Sequence, residues 1–235
     1  MMADLPGDTF DFDSGFAGRY DLLVRRTIFG YDQLFPMILG LLMARQPQSA
    51  DLLVVGSGTG AELITFGRAM PAWRLIGVDP AAQMIQLARA RLASQGLSDR
   101  VRLYHGNVDG LAPALRFDAA TLVLVLHFLP DDGSKLALLQ AIAARLKPGG
   151  SLVLVDLGGD PADPAYPLLL AGWKNFIVQN GMPPDEVDHL LRQASESQHF
   201  ISEQRLLDLL AAAGFLQPTR FYGAFLHSGW ITRLA

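Results

Sequence analysis

Hydrophobic positions follow two rhythms along this 235-residue chain. From about Phe10 to Gln46 they recur at helical spacing, with a break near Gly30. Tyr20, Leu23, Val24 and Ile28 share one face; Leu34, Ile38, Leu41 and Leu42 share another. Residues 1–9, ahead of them, read as a mobile tail. The rhythm changes at Asp51–Val55, a short, almost wholly apolar run that stops at glycines. Such a run predicts a parallel strand buried on both faces. Arg74–Val78, Val101–His105, Phe117–Leu126 and Ser151–Asp156 repeat the pattern. Helical spacing separates them over Ala61–Ala69, Ala81–Gln95 and Asp131–Leu146, with Ile85, Leu87, Ala88 and Leu92 facing inward in the second. Strands alternating with helices over short links predict an α/β fold, a doubly wound seven-stranded Rossmann-like sheet.

The pattern loosens after the fifth strand. Residues 158–201 carry prolines, Trp173, Phe176 and helical spacing, and read as a helical insertion that caps the site. Glu203–Ala213 predicts a last helix, ended by Gly214. Gln217–Tyr222 and Ala224–Thr232 predict an antiparallel pair turning at Gly223. The chain is therefore expected to be one domain in four parts. These are an N-terminal helical lid (1–49), a ligand-binding core (50–157), the insertion (158–201), and the last helix with its strand pair (202–235).

Composition narrows the chemistry. Half of the residues are hydrophobic and 18% are charged, which points to an apolar cleft, a subunit interface such as that of a homodimer, or both. The net charge of −4 and the scattered basic residues argue against a nucleic-acid partner. Without cysteine, thiolate catalysis and Cys-based metal sites are excluded, and no metal is expected. Neither a signal peptide nor an apolar stretch of membrane-spanning length is visible. The expectation is a cytoplasmic protein with no membrane partner.

Four segments carry candidate chemistry. Gly56-Ser57-Gly58-Thr59-Gly60 lies between a strand and a helix, where glycines let the backbone turn at positive φ and approach a ligand. By itself this loop also fits a dinucleotide site, or a tight turn with no ligand. Asp79 ends the second strand, followed by Pro80; its carboxylate suits both hydroxyls of an adenosyl ribose, or a helix N-cap. Gly106-Asn107-Val108 follows the third strand, where an amide can meet adenine edges and Val108 its face. His127-Phe128 follows the fourth strand, at the edge where ligands bind; His127 either lines the site or acts as a base.

As a set, these segments resemble the class I S-adenosylmethionine (SAM)-dependent methyltransferases. The likeness runs from Asp51–Gly60 through Asp79, Gly106-Asn107-Val108 and His127-Phe128 to Leu146-Lys-Pro-Gly-Gly-Ser-Leu-Val-Leu154, and on to Ala212-Ala-Gly-Phe215. A narrower resemblance lies in Arg26-Thr-Ile-Phe-Gly-Tyr31, which is similar to the lid of the carboxy-SAM synthases of tRNA wobble-uridine modification. That likeness implies that Tyr31 contacts the methionine end of the ligand. It also aligns Arg192 with an arginine that holds the extra carboxylate; where that family has a fourth-strand asparagine, this chain has Val123.

The resemblance implies SAM as cofactor, S-adenosylhomocysteine (SAH) as product and a small-molecule substrate. SAM is an activated methyl donor, so alignment of the reacting atoms and exclusion of water do most of the work. His127 and Tyr31 are the candidate catalytic residues, with His199 and His227 as other bases and His105 and His189 less well placed. The substrate pocket is expected between Tyr20, Tyr31, Phe128, Trp173 and Phe176. The alternatives are a carboxy-SAM synthase working with prephenate, a SAM-binding module without turnover, and a dinucleotide oxidoreductase.

Overall fold

The computed structural model describes residues 11–13, 17–45 and 48–235. The expected tail, and Phe10 and Gln46 at the bounds of the N-terminal helical stretch, lie outside the described residues. Strands β1 (Asp51–Val55), β2 (Arg74–Asp79), β3 (Val101–His105), β4 (Phe117–Val123) and β5 (Leu146–Leu157) run parallel. Strands β6 (Phe215–Ala224) and β7 (His227–Leu234) complete a seven-stranded sheet of order β3-β2-β1-β4-β5-β7-β6. Strand β7 runs antiparallel to both its neighbours, β5 and β6. The strand order reverses between β1 and β4, and a crevice opens beyond their carboxyl ends.

The apolar run of β1 is explained by burial on both sides. Leu52 and Val54 join the core against α2 (Tyr31–Arg45) and α3 (Ala61–Ala69). Leu53 and Val55 join the core against α5 (Ser134–Ala143) and α8 (Glu203–Ala212). Helix α4 (Ala82–Ser94) packs on β2 and β3 with Met84, Ile85, Ala88 and Leu92 buried; Leu87 is half-buried. Helices α6 (Tyr166–Gln179) and α7 (Pro184–Ser197) form the insertion, with a small core of Trp173, Ile177, Val187 and Leu190. Among the described residues no single helix is long and apolar enough to cross a membrane.

The structure separates the two N-terminal helices that the sequence grouped as a lid. Helix α2 buries Leu34, Ile38 and Leu42 against the sheet. Helix α1 (Ala17–Thr27) lies over the carboxyl edge, beside the glycine loop. Gly30, at φ 68°, makes the corner between them. The insertion is tied to the end of α1, because Trp173 Nε1 donates to the Thr27 carbonyl (2.6 Å) and Asn180 Nδ2 to that of Arg26 (3.1 Å).

Among the boundaries that differ from expectation, three have a clear physical cause. The helix expected over Asp131–Leu146 spans only Ser134–Ala143, because Leu146 is buried beside Phe117 and already pairs with it in β5. The fourth strand stops at Val123, since Leu124 adopts φ 59° and the chain enters a short 3₁₀ turn, Leu126–Phe128. The terminal hairpin turns at Phe225-Leu226, not at Gly223, which pairs with Ser228 inside the ladder. A Cβ at Gly223 would meet the Arg220 guanidinium at 2.7 Å. Phe225 instead packs against Phe176 (5.5 Å between ring centres), and Leu226 is buried.

Candidate active site

The glycine loop is shaped by contact as well as by conformation. Gly56 has φ 70°, and a Cβ there would lie 2.3 Å from Val125 Cγ2. Gly60, at φ 84°, lies against Ala88 of α4, with its absent Cβ 3.3 Å from that residue's Cα. Gly60 thus lets α3 and α4 approach each other and lines none of the cavities described below. The loop amide of Gly58 donates to Asp79 Oδ2 (2.8 Å), and that of Ala81 to Asp79 Oδ1 (2.9 Å). Each carboxylate oxygen so accepts one bond and retains capacity for another. Burial raises the Asp79 pKa, and the two amides partly offset that by favouring the charged form.

Asp79, Pro80, Gly106, Asn107 and Val108 line one cavity of about 250 Å³ with Gly56 and Gly58. Val108 is buried there and Asn107 exposed. Two smaller cavities adjoin it. One lies along Ser57, Thr59, Glu62, Tyr31 and Phe35. The other lies between His127, Phe128, Trp173, His227, Leu190 and α1. Tyr20 and Leu124 line all three. Leu124 holds a left-handed backbone that a branched residue seldom adopts, and the strain sits where the cavities meet.

His127 Nδ1 lies 2.5 Å from Asp156 Oδ1, and both residues are buried. An ionised carboxylate only accepts, so Nδ1 carries the proton and Nε2 is the basic nitrogen. Lys135, also buried, donates to the Leu126 carbonyl (2.7 Å) and steadies the turn that carries His127. Burial pushes its ammonium pKa down, while the Asp156 charge opposes that shift. His227 is buried with Nδ1 unpartnered, and burial lowers its pKa to about 3. It is therefore neutral at ordinary pH.

Most of the residues expected from sequence converge here: Tyr20, Tyr31, Gly56, Ser57, Gly58, Asp79, Pro80, Asn107, Val108, His127, Phe128 and Trp173 line these cavities. Arg192 does not; it is exposed on α7. Phe176 packs between Phe29 and Phe225, outside the His127 cavity. His105 bonds the Pro80 carbonyl, and His199 meets the His127 carbonyl only through its backbone N–H. His189 lines none of the three cavities.

Four polar residues of the site were not singled out from sequence. Asp156 orients His127, and Lys135 supports its turn. Asp21 of α1 accepts from Thr59 Oγ1 of the glycine loop (2.7 Å) and pairs with Arg91 of α4. Glu62 is buried in the first turn of α3. A carboxylate next to the last residue of the apolar strand β5, much as Asp79 ends β2, was the signal available for Asp156.

Comparisons with known proteins agree with this architecture. A family model described as a methyltransferase domain matches residues 53–152. The chain is 29% identical over 218 residues to the ubiquinone/menaquinone biosynthesis C-methyltransferase of Desulfotalea psychrophila, covering 90% of this chain and 83% of that protein. It is 28% identical over 183 residues to the carboxy-S-adenosyl-L-methionine synthase of Chromohalobacter salexigens, covering 76% of this chain and 66% of that one. Magnesium protoporphyrin IX methyltransferase from Synechocystis, solved with bound SAH, shares the fold at a TM-score of 0.69 and 14% identity, covering 95% of this chain and 96% of that chain. Mitomycin 7-O-methyltransferase shares it at a TM-score of 0.59 and 22% identity, covering 79% of this chain; the match spans about half of that longer chain (49%).

Proposed function

We propose, from the premise that the chain belongs to the class I SAM-dependent methyltransferases, that it methylates a small, largely apolar acceptor held between α1, the His127 turn and the insertion. The observation that carries this reading is the meeting of three cavities at Tyr20 and Leu124. A sulfonium has three substituents, and the cavities match them. Asp79 has one acceptor site free on each oxygen for the ribose hydroxyls, with Asn107 and Val108 beside the adenine. The Ser57–Glu62 cavity takes the amino-acid arm. The methyl faces the His127 cavity, which is lined mostly by apolar side chains and, among the described residues, by no Lys or Arg.

SAM supplies an activated methyl group, so the protein's part is to align the acceptor and exclude water. His127 takes the acceptor's proton at Nε2 while Asp156 holds Nδ1–H and stabilises the imidazolium. The acceptor's oxygen or nitrogen gains the methyl as the sulfur–methyl bond breaks. Trp173 and Phe128 wall the space in which the acceptor lies.

The test is SAH release from a panel of phenols, quinols and aromatic amines. With an accepted substrate, His127→Asn is expected to lower kcat by about 100-fold or more and leave SAM affinity unchanged. Undiminished turnover would remove His127 as the base. A second reading, a carboxy-SAM synthase, draws support from the relatives of that name and from Tyr31 beside the amino-acid arm. The exposed position of Arg192 and the lack of Lys or Arg among the described residues lining the His127 cavity weigh against it. A carboxylated SAM co-purifying with the protein, seen by mass spectrometry, would favour it.

A further inference from the structure

We infer that Glu62 receives the α-ammonium of the ligand's amino-acid arm, and so makes this protein distinguish SAM and SAH from adenosyl compounds that lack an amine. The inference rests on the SAM site proposed above and deepens it.

Glu62 stands in the first turn of α3, only 5% exposed, beside core residues Leu63 and Phe66. Buried carboxylates are normally paired, because an isolated charge is costly in an apolar setting. Here Oε1 has no hydrogen-bond partner. Thr121 of β4 lies alongside without hydrogen-bonding geometry, and its hydroxyl only moderates the rise in Glu62 pKa, to about 7, that burial causes. Ser57 Oγ, buried on the same cavity wall, is unpartnered too. Two residues with unpartnered oxygens thus line one small space, and none of the described residues lining it is a cation.

The charged neighbours are already engaged. On α1, Arg25 pairs with Asp32 (2.9 Å), and Asp21 pairs with Arg91 and Thr59. Tyr20 and Tyr31, the other titratable groups at this cavity, have pKa values raised by burial and stay neutral. The complement to Glu62 must come from the ligand. Of the positive groups on SAM, the sulfonium belongs at Tyr20 and Leu124, where the cavities meet. The ammonium is the one that reaches the far end beside Ser57. It brings three N–H donors for Glu62 Oε1, Ser57 Oγ and a backbone carbonyl.

Isothermal titration would compare SAH, its des-amino analogue and 5′-methylthioadenosine, on wild-type protein and on Glu62→Gln. Wild type is expected to favour SAH over the des-amino analogue on the order of 10- to 100-fold. Glu62→Gln is expected to lose that preference yet bind 5′-methylthioadenosine as wild type does. SAH binding near pH 7 should also release protons from wild type, read as a buffer-dependent enthalpy, and not from Glu62→Gln. Equal wild-type affinity for SAH and the des-amino compound overturns the inference without needing any variant, as does a preference that survives Glu62→Gln. Failure of folded wild type to bind even 5′-methylthioadenosine would instead overturn the adenosyl-site reading beneath it.

Discussion

Asp79 is held by two backbone amides, and each of its oxygens can accept once more. That arrangement pre-orients the carboxylate, so the hydroxyls of the proposed ribose would meet it without reorganisation. Asp79→Ala is expected to weaken SAM binding by about 1.5–3 kcal/mol, the scale of hydrogen bonds to a charged group. Calorimetry giving an unchanged affinity would refute the ribose assignment. The residue could be singled out from sequence because an acid ending a buried strand is visible in one dimension. Asp156 follows the same rule at the end of β5. Its partner His127, however, lies 29 residues away, and the two meet only because β4 and β5 are neighbours in the sheet. Glu62 was hidden differently, inside a helix where acids are ordinary; only its burial makes it unusual.

At the scale of elements, α1 closes the site and Asp21 is its clasp. One carboxylate joins the helix to the glycine loop through Thr59 and to α4 through Arg91. Asp21→Asn is expected to cost about 1–3 kcal/mol of stability and to speed amide hydrogen exchange over residues 17–27 above that of α2. Exchange rising equally in α1 and α2 would argue against a locally hinged lid. The helical spacing of α1 and α2 was legible, but their division of labour was not. Both are amphipathic, and periodicity does not say what a face is buried against. The terminal hairpin teaches the same lesson. Glycine suggested a turn at Gly223, while the packing of Phe225 and Leu226 placed it two residues further on.

For the whole molecule, two buried groups set opposing pH dependences. His227 resists protonation down to about pH 3 when folded, whereas in the unfolded chain it takes a proton near 6.5. Its contribution to stability is complete above about 6.5 and is lost as pH falls towards 3. Glu62 stays protonated up to about 7 when folded but ionises near 4.5 when unfolded, so stability declines as pH rises through that window. The two slopes cancel between about pH 4.5 and 6.5. Below that range Glu62 no longer opposes His227. Urea unfolding at about pH 4.5 and about pH 3.5 should show wild type losing about 1.4 kcal/mol more than His227→Asn. Equal losses would show that His227 is not held neutral.

The sequence by itself determined the α/β class, most of the strands, the glycine loop and Asp79. Those features follow from local rules: the spacing of apolar residues, the freedom of glycine, and an acid where a buried strand meets the crevice. Only the tertiary structure decided that Tyr20 and Leu124 join three cavities, that Asp156 holds His127, that Glu62 is buried without a partner and that Arg192 is exposed. Pairing and burial depend on which strands lie side by side and which helix covers them. That information belongs to the assembled sheet, not to the spacing of residues along the chain.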